Sequence, residues 1–497
     1  MTAVSKTDYL RWRECPKNAW LEIHKPDVFY ASELTEFDKS LIDNGIEVEE
    51  LARALFPEGR LIVGRDPAAQ RATEELITAQ VGTLFQPIFE RDGYLAAMDV
   101  LRFDAATNTY AVYEIKSSTK LKDEHLCDVA FQAELLRRCR LNVDRMYVVH
   151  LNSTYVRDGD LNLGNLFTVV NVTTEVGEVF DTVTKEMEEA RAYLLADTEP
   201  KSSCPCIYKG RSRHCSTFQY SNPQVPEYGV HDISRIGNSP KKLKEMVDAG
   251  VFALEKIPKH IHLSEIQEAQ VTAYCAGETR VLKPEIRGEL DSLTFPLHFI
   301  DYETCPSAIP LFDGYSPYQQ IPFQYSLDIV MSAGDKPVHR EFIHVVLEDP
   351  SKLFIQSLRE NIGPEGTIIV WSKSFESGIN DGLARRSPSD LVFITGINNR
   401  LYDLKDIFSK QYYVHKGFWG KVSIKNVLPV LAPQLSYSSL EIQEGGAASV
   451  AWKKIVLGEL TAEEAARFCE ALKTYCGMDS YAMYAIWRAL REILATE

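Results

Sequence analysis

Two separate runs of strand-like segments, each interleaved with helical periodicity, constrain the fold of this chain more than any other feature. The first run holds GYLAAMDVLRFD, TYAVYEIKSS, the helical CDVAFQAELLRRCR, then RMYVVHL and LFTVVNV. The second holds LHFIDYE, FQYSLDIVM, EFIHVVL and GTIIVWS, with helices between and after them. Strands that alternate with helices predict an α/β core, so two such runs predict two cores. A chain of 497 residues exceeds the size at which one core stops growing, which agrees with that division. The seam falls at STFQYSNPQVPEYGV, where polar residues and two prolines interrupt the periodicity. Beyond it, VHDISRIGNSPKKLKEMVDAGVFALEKIP is broken by glycine and NSP and reads as a small helical connector. That connector is either a plain spacer or a helix-hairpin-helix-like grip on a nucleic-acid backbone. The expected organisation is a first domain over 1–220, the connector over 221–290 and a second domain over 291–497.

Composition excludes several classes. Hydrophobic residues at 45% and charged residues at 25% leave no collagen-like, disordered or mucin-like bias. No apolar run is long enough to span a membrane, and the start MTAVSKTDYLRWRECPKNAW lacks the apolar centre of a secretory signal. A cytoplasmic protein is therefore expected, with most of its 10 cysteines reduced. The formal net charge of -16 argues against a protein that coats nucleic acid by bulk attraction. An enzyme acting on DNA or RNA remains compatible with it, since bound metals neutralise clustered carboxylates and a groove needs only local basic patches. KGRSRHC, SPKKLK and GKVSIK are such patches, or else solvated surface.

Three groups of residues carry candidate chemistry. In the first run, Asp99 lies near a strand end, and YEIKS places Glu114 and Lys116 on one face of the next strand. Two carboxylates in that arrangement can hold a magnesium ion while the lysine orients the attacking water or stabilises the phosphate; a salt-bridged strand face is the structural alternative. Gln132 sits on the helix that follows. In the second run, FIDYE sends Asp301 and Glu303 out of the same strand face, where a divalent cation would cancel their repulsion. Two solvated acids at a strand end are the alternative. Glu376 follows a strand where a helix should begin, and Asp479 lies on a strongly helical segment with Tyr475 four residues earlier on the same face. Four such carboxylates can hold two magnesium or manganese ions, with Tyr475 orienting a water. Asp403 and Asp406 in LYDLKDIF are alternative acids. The third group is Cys15 with Cys204, Cys206 and Cys215, a complete four-thiolate shell for a 4Fe-4S cluster or tetrahedral zinc. Burial as small apolar residues is the alternative there, although CPC in a loop rich in proline and charge makes a poor core segment.

On the residues Asp99, Glu114, Lys116 and Gln132, the stretch 1–220 resembles the PD-(D/E)XK superfamily of restriction-endonuclease-like folds, and RecB-type nucleases within it. The resemblance implies a further acid on an upstream helix, for which Glu49 in GIEVE is the candidate, with Glu47 and Glu50 competing. The four cysteines are similar to the iron-sulfur staple of AddB, Dna-two-type and CRISPR adaptation nucleases, but here they show Cys-x-Cys where those families show Cys-x-x-Cys. Over 290–497, Asp301, Glu303, Glu376, Tyr475 and Asp479 resemble the DnaQ-like, RNase H-fold exonucleases of the DEDDy kind; this chain has glutamate at the second motif in place of aspartate. The whole arrangement, with FDGYSPYQQIPFQYSL and SIKNVLPVL, resembles an uncharacterised bacterial family that joins both nuclease halves. The resemblance implies a two-metal nuclease acting on DNA or RNA in processing, repair or defence. A nucleic-acid-binding scaffold with inert sites is the alternative. The chain has no Walker-type GKS or GKT loop, so any unwinding would come from a partner helicase.

Overall fold

The computed structural model describes residues 3–31, 34–202 and 204–496. It is a mixed α/β protein that divides into two compact units. The first comprises Met1–Ile207, Arg213–Pro223 and Ala308–Tyr318; the second comprises Tyr208–Ser212, Gln224–Ser307 and Gln319–Glu497. Residues of the expected connector after Pro223 are thus counted with the second unit, and a short stretch from the second strand run is counted with the first. Among the described residues, no helix is long and apolar enough to cross a membrane.

The first unit is built on a mixed six-stranded sheet. Its spatial order is Arg60–Leu61, Thr83–Phe85, Val100–Asp104, Thr109–Lys116, Val143–Leu151 and Phe167–Asn171. Thr109–Lys116 runs antiparallel to Val100–Asp104 and parallel to Val143–Leu151, a parallel pair connected through the Asp123–Arg138 helix. That helix and Thr173–Leu194 cover one face, where Phe131, Leu135, Val176 and Met187 are buried with Val112 and Val148. A three-stranded sheet stands beside the main one, with Val4–Ser5 pairing parallel to Tyr94–Ala97 and the latter antiparallel to Ile88–Arg91. The segment GYLAAMDVLRFD, expected to be strand with Asp99 near a strand end, forms two strands. It breaks after Ala97, its two halves enter different sheets, and Asp99 occupies the break.

In the second unit a five-stranded sheet has the order Val338–Ile343, Gln320–Val330, Leu297–Pro306, Thr367–Val370 and Leu401–Asp403. The first two junctions are antiparallel and the last two parallel. Alternate residues of Leu297–Pro306 serve opposite faces. Ile300 and Tyr302 enter a core with Phe354, Leu358 and Leu383, while Phe299 meets Tyr484 and Trp487 of the long Ala462–Ala495 helix. The EFIHVVL segment leaves the sheet after Ile343, and Val346 and Leu347 are exposed.

Candidate functional sites

The first acid site gathers at the break that holds Asp99. Its Oδ2 accepts the Ile115 N–H at 2.7 Å, which ties the bend to the strand carrying Glu114 and Lys116. Lys116 Nζ donates to Glu114 Oε1 at 2.6 Å and to Asp128 Oδ2 at 2.5 Å. Gln132 Nε2 donates to Glu114 Oε2 at 2.6 Å and to Asp128 Oδ1 at 2.9 Å, because Asp128 and Gln132 lie one turn apart on the Asp123–Arg138 helix. A second cation arrives from the start of the chain. Lys6 Nζ lies 2.9 Å from Glu114 Oε1 and 3.1 Å from Asp128 Oδ1. Pairing of Val4–Ser5 with Tyr94–Ala97 and the capping box of Ser5 with Asp8 fix where Lys6 begins its helix. Glu49, on the Glu36–Arg53 helix, accepts from Arg53 at 2.6 Å and from Gln86 at 2.5 Å, whereas Glu47 and Glu50 are exposed. Lys6, Glu49, Gln86, Asp99, Lys116 and Asp128 share the lining of one cavity of about 380 Å³.

Charge in this cavity is uneven. Burial, and then the neighbouring Glu114, raise Asp99 to about 8. Asp128 is pulled the other way: burial opposes its charge, but Lys6 and Lys116 outweigh it and hold the carboxyl below its usual range. Both lysines are raised, since the carboxylates around them overcome the cost of burying an ammonium.

The second acid site draws its acids from three elements. Asp301 and Glu303 project from Leu297–Pro306, opposite Ser326 and Gln324, with an irregularity in register just after Glu303. Glu376 lies in the first turn of the Lys373–Arg386 helix, and Asp479 and Tyr475 lie on Ala462–Ala495. Polar ties set the register of that long helix against the sheet. Gln324 Nε2 donates to the Leu472 carbonyl at 3.0 Å, Ser326 and Ser480 share a hydrogen bond of 2.6 Å, and Ser480 donates to Asp328 at 2.7 Å. Residues 324, 326 and 328 alternate on one sheet face, so the bonds place Asp479 toward the acids of the neighbouring strand.

Each acid of this set is raised. Asp301 stands well above the carboxylate range through burial, then through Asp479, Glu303 and Glu376, with Lys425 opposing. Glu303 is likewise raised by burial and Asp479. Glu376 reaches about 8, mainly by burial, and its Oε2 is buried with no hydrogen-bond partner. Asp479 reaches about 6 because burial outweighs hydrogen bonds from Tyr437 and Tyr475 and the charge of Lys425. The Tyr437 hydroxyl donates to Asp479 Oδ1 at 2.6 Å, and the Lys425 ammonium lies 5.6 Å and 5.5 Å from the Tyr437 and Tyr475 ring centres. Cys476 offers its sulfur within 4.8 Å of ligand oxygens of Asp301 and Glu303. Burial and those same carboxylates push its thiol up, which favours the neutral form of Cys476 beside them. The helix Gly445–Val456 starts beside Glu303, with the position of a Cβ on Gly445 3.7 Å from Glu303 Oε2.

The alternative acids have other partners. Asp403 accepts the Lys373 and Lys405 backbone N–H groups at 3.0 and 3.1 Å, so it caps the helix that presents Glu376. Asp406 pairs with Lys410 at 3.2 Å. Sequence reasoning did not single out Lys6, Asp128, Gln86, Tyr437 or Cys476. A signal existed for Asp128, four residues before Gln132 on a predicted helix, and Lys425 lay within the GKVSIK patch. For Lys6 and Tyr437 there was none, since each reaches its site from a distant part of the chain.

The four cysteines also converge, all within the first unit. Cys15 caps the end of the Lys6–Glu14 helix and the start of Pro16–His24, while Cys204 and Cys206 flank Pro205 at the start of a short 3-10 turn. Cys15 Sγ lies 3.2 Å from Cys204 Sγ and 3.8 Å from Cys215 Sγ; Cys204 and Cys215 are 3.3 Å apart. All four sulfurs lie within 4.8 Å of one another, and none is in a disulfide. Hydrogen bonds among the four thiols pull Cys206 and Cys215 down and push Cys15 and Cys204 up, so the quartet shares its protons unevenly.

Residues 298–423 match a family model described as a domain of unknown function (DUF2779). That stretch includes Asp301, Glu303 and Glu376 and ends before Lys425, Tyr437, Tyr475 and Asp479. The chain is 28% identical over 223 residues to the uncharacterized protein MG366 homolog of Mycoplasma pneumoniae, covering 40% of this chain and 32% of the relative. It is 25% identical over 219 residues to the uncharacterized protein MG366 of Mycoplasma genitalium, covering 39% of this chain and again 32% of the relative. The matched stretch thus spans about a third of the length of these curated relatives.

Proposed function

We propose that this protein is a metal-dependent nuclease that hydrolyses phosphodiester bonds of DNA or RNA. The second unit supplies an exonuclease site of the DnaQ-like, RNase H-fold kind, and the first supplies a PD-(D/E)XK-like site. One observation carries the reading: Asp301, Glu303, Glu376 and Asp479 come from three separate elements, are buried or half-buried, and are all held above their ordinary pKa range, with Asp301 raised by the charges of the other three. Such a set is costly as four bare anions and becomes favourable around hard divalent cations. The orphaned Glu376 Oε2 has the chemistry of an unused oxygen ligand. Magnesium or manganese held by these oxygens would polarise the phosphate and favour an ionised water nucleophile.

The remaining residues have roles of their own. Tyr475 and Tyr437 flank Asp479 and would orient a water or a phosphate oxygen, and Lys425 brings positive charge to an otherwise acidic wall. In the first unit, Asp99 and Glu114 would be the metal ligands, Lys116 would face the developing negative charge, and Gln132 would hold the Glu114 carboxylate in place. One observation favours a second reading for that unit. Both Lys6 and Lys116 are bonded to Glu114, which closes the first site by ion pairs and suits a clamp that binds nucleic acid without cutting.

The test is a time course on end-labelled single-stranded DNA and RNA, with magnesium or manganese against EDTA, for wild type, Asp301→Ala and Lys116→Ala. A ladder lost in Asp301→Ala alone assigns exonuclease action to the second unit and leaves the first as a clamp. Activity lost in part in each variant assigns cutting to both. No cleavage with any metal would overturn the catalytic reading for these substrates and favour a binding scaffold.

A further inference from the structure

We infer that Cys15, Cys204, Cys206 and Cys215 hold one tetrahedral zinc ion rather than a 4Fe-4S cluster. A single four-coordinate ion with zinc–sulfur bonds of about 2.3 Å sets its sulfurs about 3.8 Å apart. The separations here are 3.2, 3.3 and 3.8 Å, and no pair in the quartet exceeds 4.8 Å. A cubane puts an iron atom between its centre and each thiolate, so its four cysteine sulfurs lie on a much wider tetrahedron, with sulfides filling the space between. Cys15 and Cys204, already near contact, leave no such space.

The protein around the quartet restrains it from opening. Thr217 Oγ1 donates to Asn18 Oδ1 at 2.7 Å, and the Thr217 backbone N–H donates to the same oxygen at 3.4 Å. These bonds tie the segment just after Cys215 to the helix just after Cys15. The Phe218 N–H donates to the Cys215 carbonyl and the Ile207 N–H to the Cys204 carbonyl, each at 3.0 Å, so both ligand loops are closed locally. Cys15, Cys204 and Cys206 are each 1% exposed or less and Cys215 is half-buried, and four thiols within reach of one another fill the four positions of a structural ion. Among first-row divalent metals without redox chemistry, zinc is the one that four soft thiolates in a tetrahedron select. The Cys-x-Cys spacing, one residue tighter than that of the iron-sulfur staples the cysteines resemble, agrees with a narrower site.

The assignment is independent of the nuclease reading. Full-length protein purified without oxygen would be measured for zinc, iron and acid-labile sulfide, with its visible spectrum recorded. One equivalent of zinc, no sulfide and a colourless solution are expected. Exchange with cobalt should then give the intense visible bands of a tetrahedral tetrathiolate, weakened and shifted in Cys206→Ser while the far-ultraviolet circular dichroism is unchanged. Iron and sulfide in equal amounts with a broad brown absorption would overturn the assignment, as would a lone iron or a metal-free protein.

Discussion

At the scale of single residues, the two acid sites differ in how their charge is balanced. The first carries its own cations. Asp128 is 1% exposed and bonded to Lys6, Lys116 and Gln132 at once, so Asp128→Ala strands two ammonium groups beside Glu114. A loss of about 3 kcal/mol is expected from removing one partner of so buried a network, measured by chemical denaturation. In the second site Lys425 opposes the shifts of Asp301, Glu303 and Asp479, and Lys405 opposes that of Glu376, but burial outweighs both; raised acids in both sites make stability depend on pH. Asp99 and Glu376 titrate at about 8 and Asp479 at about 6, all above the unfolded values, so the folded chain binds their protons more tightly. The stability they contribute is fully present below the ordinary carboxylate range and is lost as pH rises to about 8. Asp128, held low, acts in the opposite direction and loses its contribution only in acid. In EDTA, Tm should therefore fall as pH rises from about 5 to about 8, and magnesium should restore most of the loss at the upper end. A Tm in EDTA that is flat across this window would refute the burial account of these acids. Tyr475→Phe keeps the ring beside Lys425 but removes the hydroxyl that bonds Asp479; on the proposed exonuclease reading the cleavage rate should fall roughly 10², more than a loss of about 1 kcal/mol in stability would explain.

At the scale of elements, the nine-residue Lys6–Glu14 helix joins two centres in about 13 Å: Lys6 enters the acid cavity at one end, and Cys15 closes the other among the thiols. Cys15→Ser should loosen that anchor. If the first site holds the proposed divalent metal, its binding in calorimetric titration should weaken several-fold, while the activity proposed for the Asp301 site should not change. Another element depends on one glycine. Gly366 has φ +90°, and a Cβ there would lie 2.0 Å from the Pro296 carbonyl oxygen, where Thr367–Val370 begins to pair with the strand of Asp301 and Glu303. Gly366→Ala should destabilise the protein by about 2 kcal/mol or more. Much of this was legible in the sequence at element level. Apolar alternation marked Leu297–Pro306 and Thr109–Lys116, and helical periodicity marked the segments of Gln132 and Asp479, because those patterns are local. The break at Asp99 was not legible, since GYLAAMDVLRFD holds neither a proline nor an internal glycine to mark it and only tertiary pairing sends its halves to different sheets. Nor were Lys6 and Tyr437, whose partners Glu114 and Asp479 lie 108 and 42 residues away.

At the scale of the whole molecule, the seam near residue 220 is where local pattern ends, but the first unit is not complete there. It includes Ala308–Tyr318, which follows the strand carrying Asp301 and Glu303 by only a few residues. Ala308 and Ile309 are buried with Phe85, Val100, Tyr113 and Leu151 on one face of the six-stranded sheet. Arg157 donates to the Pro310 and Leu311 carbonyls, both at 2.9 Å, and Gly159 N–H donates to Asp313 at 2.9 Å. Removing that segment would expose apolar surface on the sheet and leave the Arg157 guanidinium without these acceptors. A fragment of residues 1–223 keeps every residue proposed for the first acid site and the thiolate centre, yet lacks this part of its core. Its expected behaviour is a lower Tm than that of any transition in the full chain, together with a tendency to aggregate through the uncovered face. A synthetic peptide spanning 305–320, added in excess, should raise the fragment's Tm in a concentration-dependent way, as any ligand of the folded state does. Substituting lysine for Ile309 in that peptide should abolish the effect. If the fragment is as stable as the full chain and indifferent to the peptide, the segment is not part of the first core and the two cores divide at the seam alone.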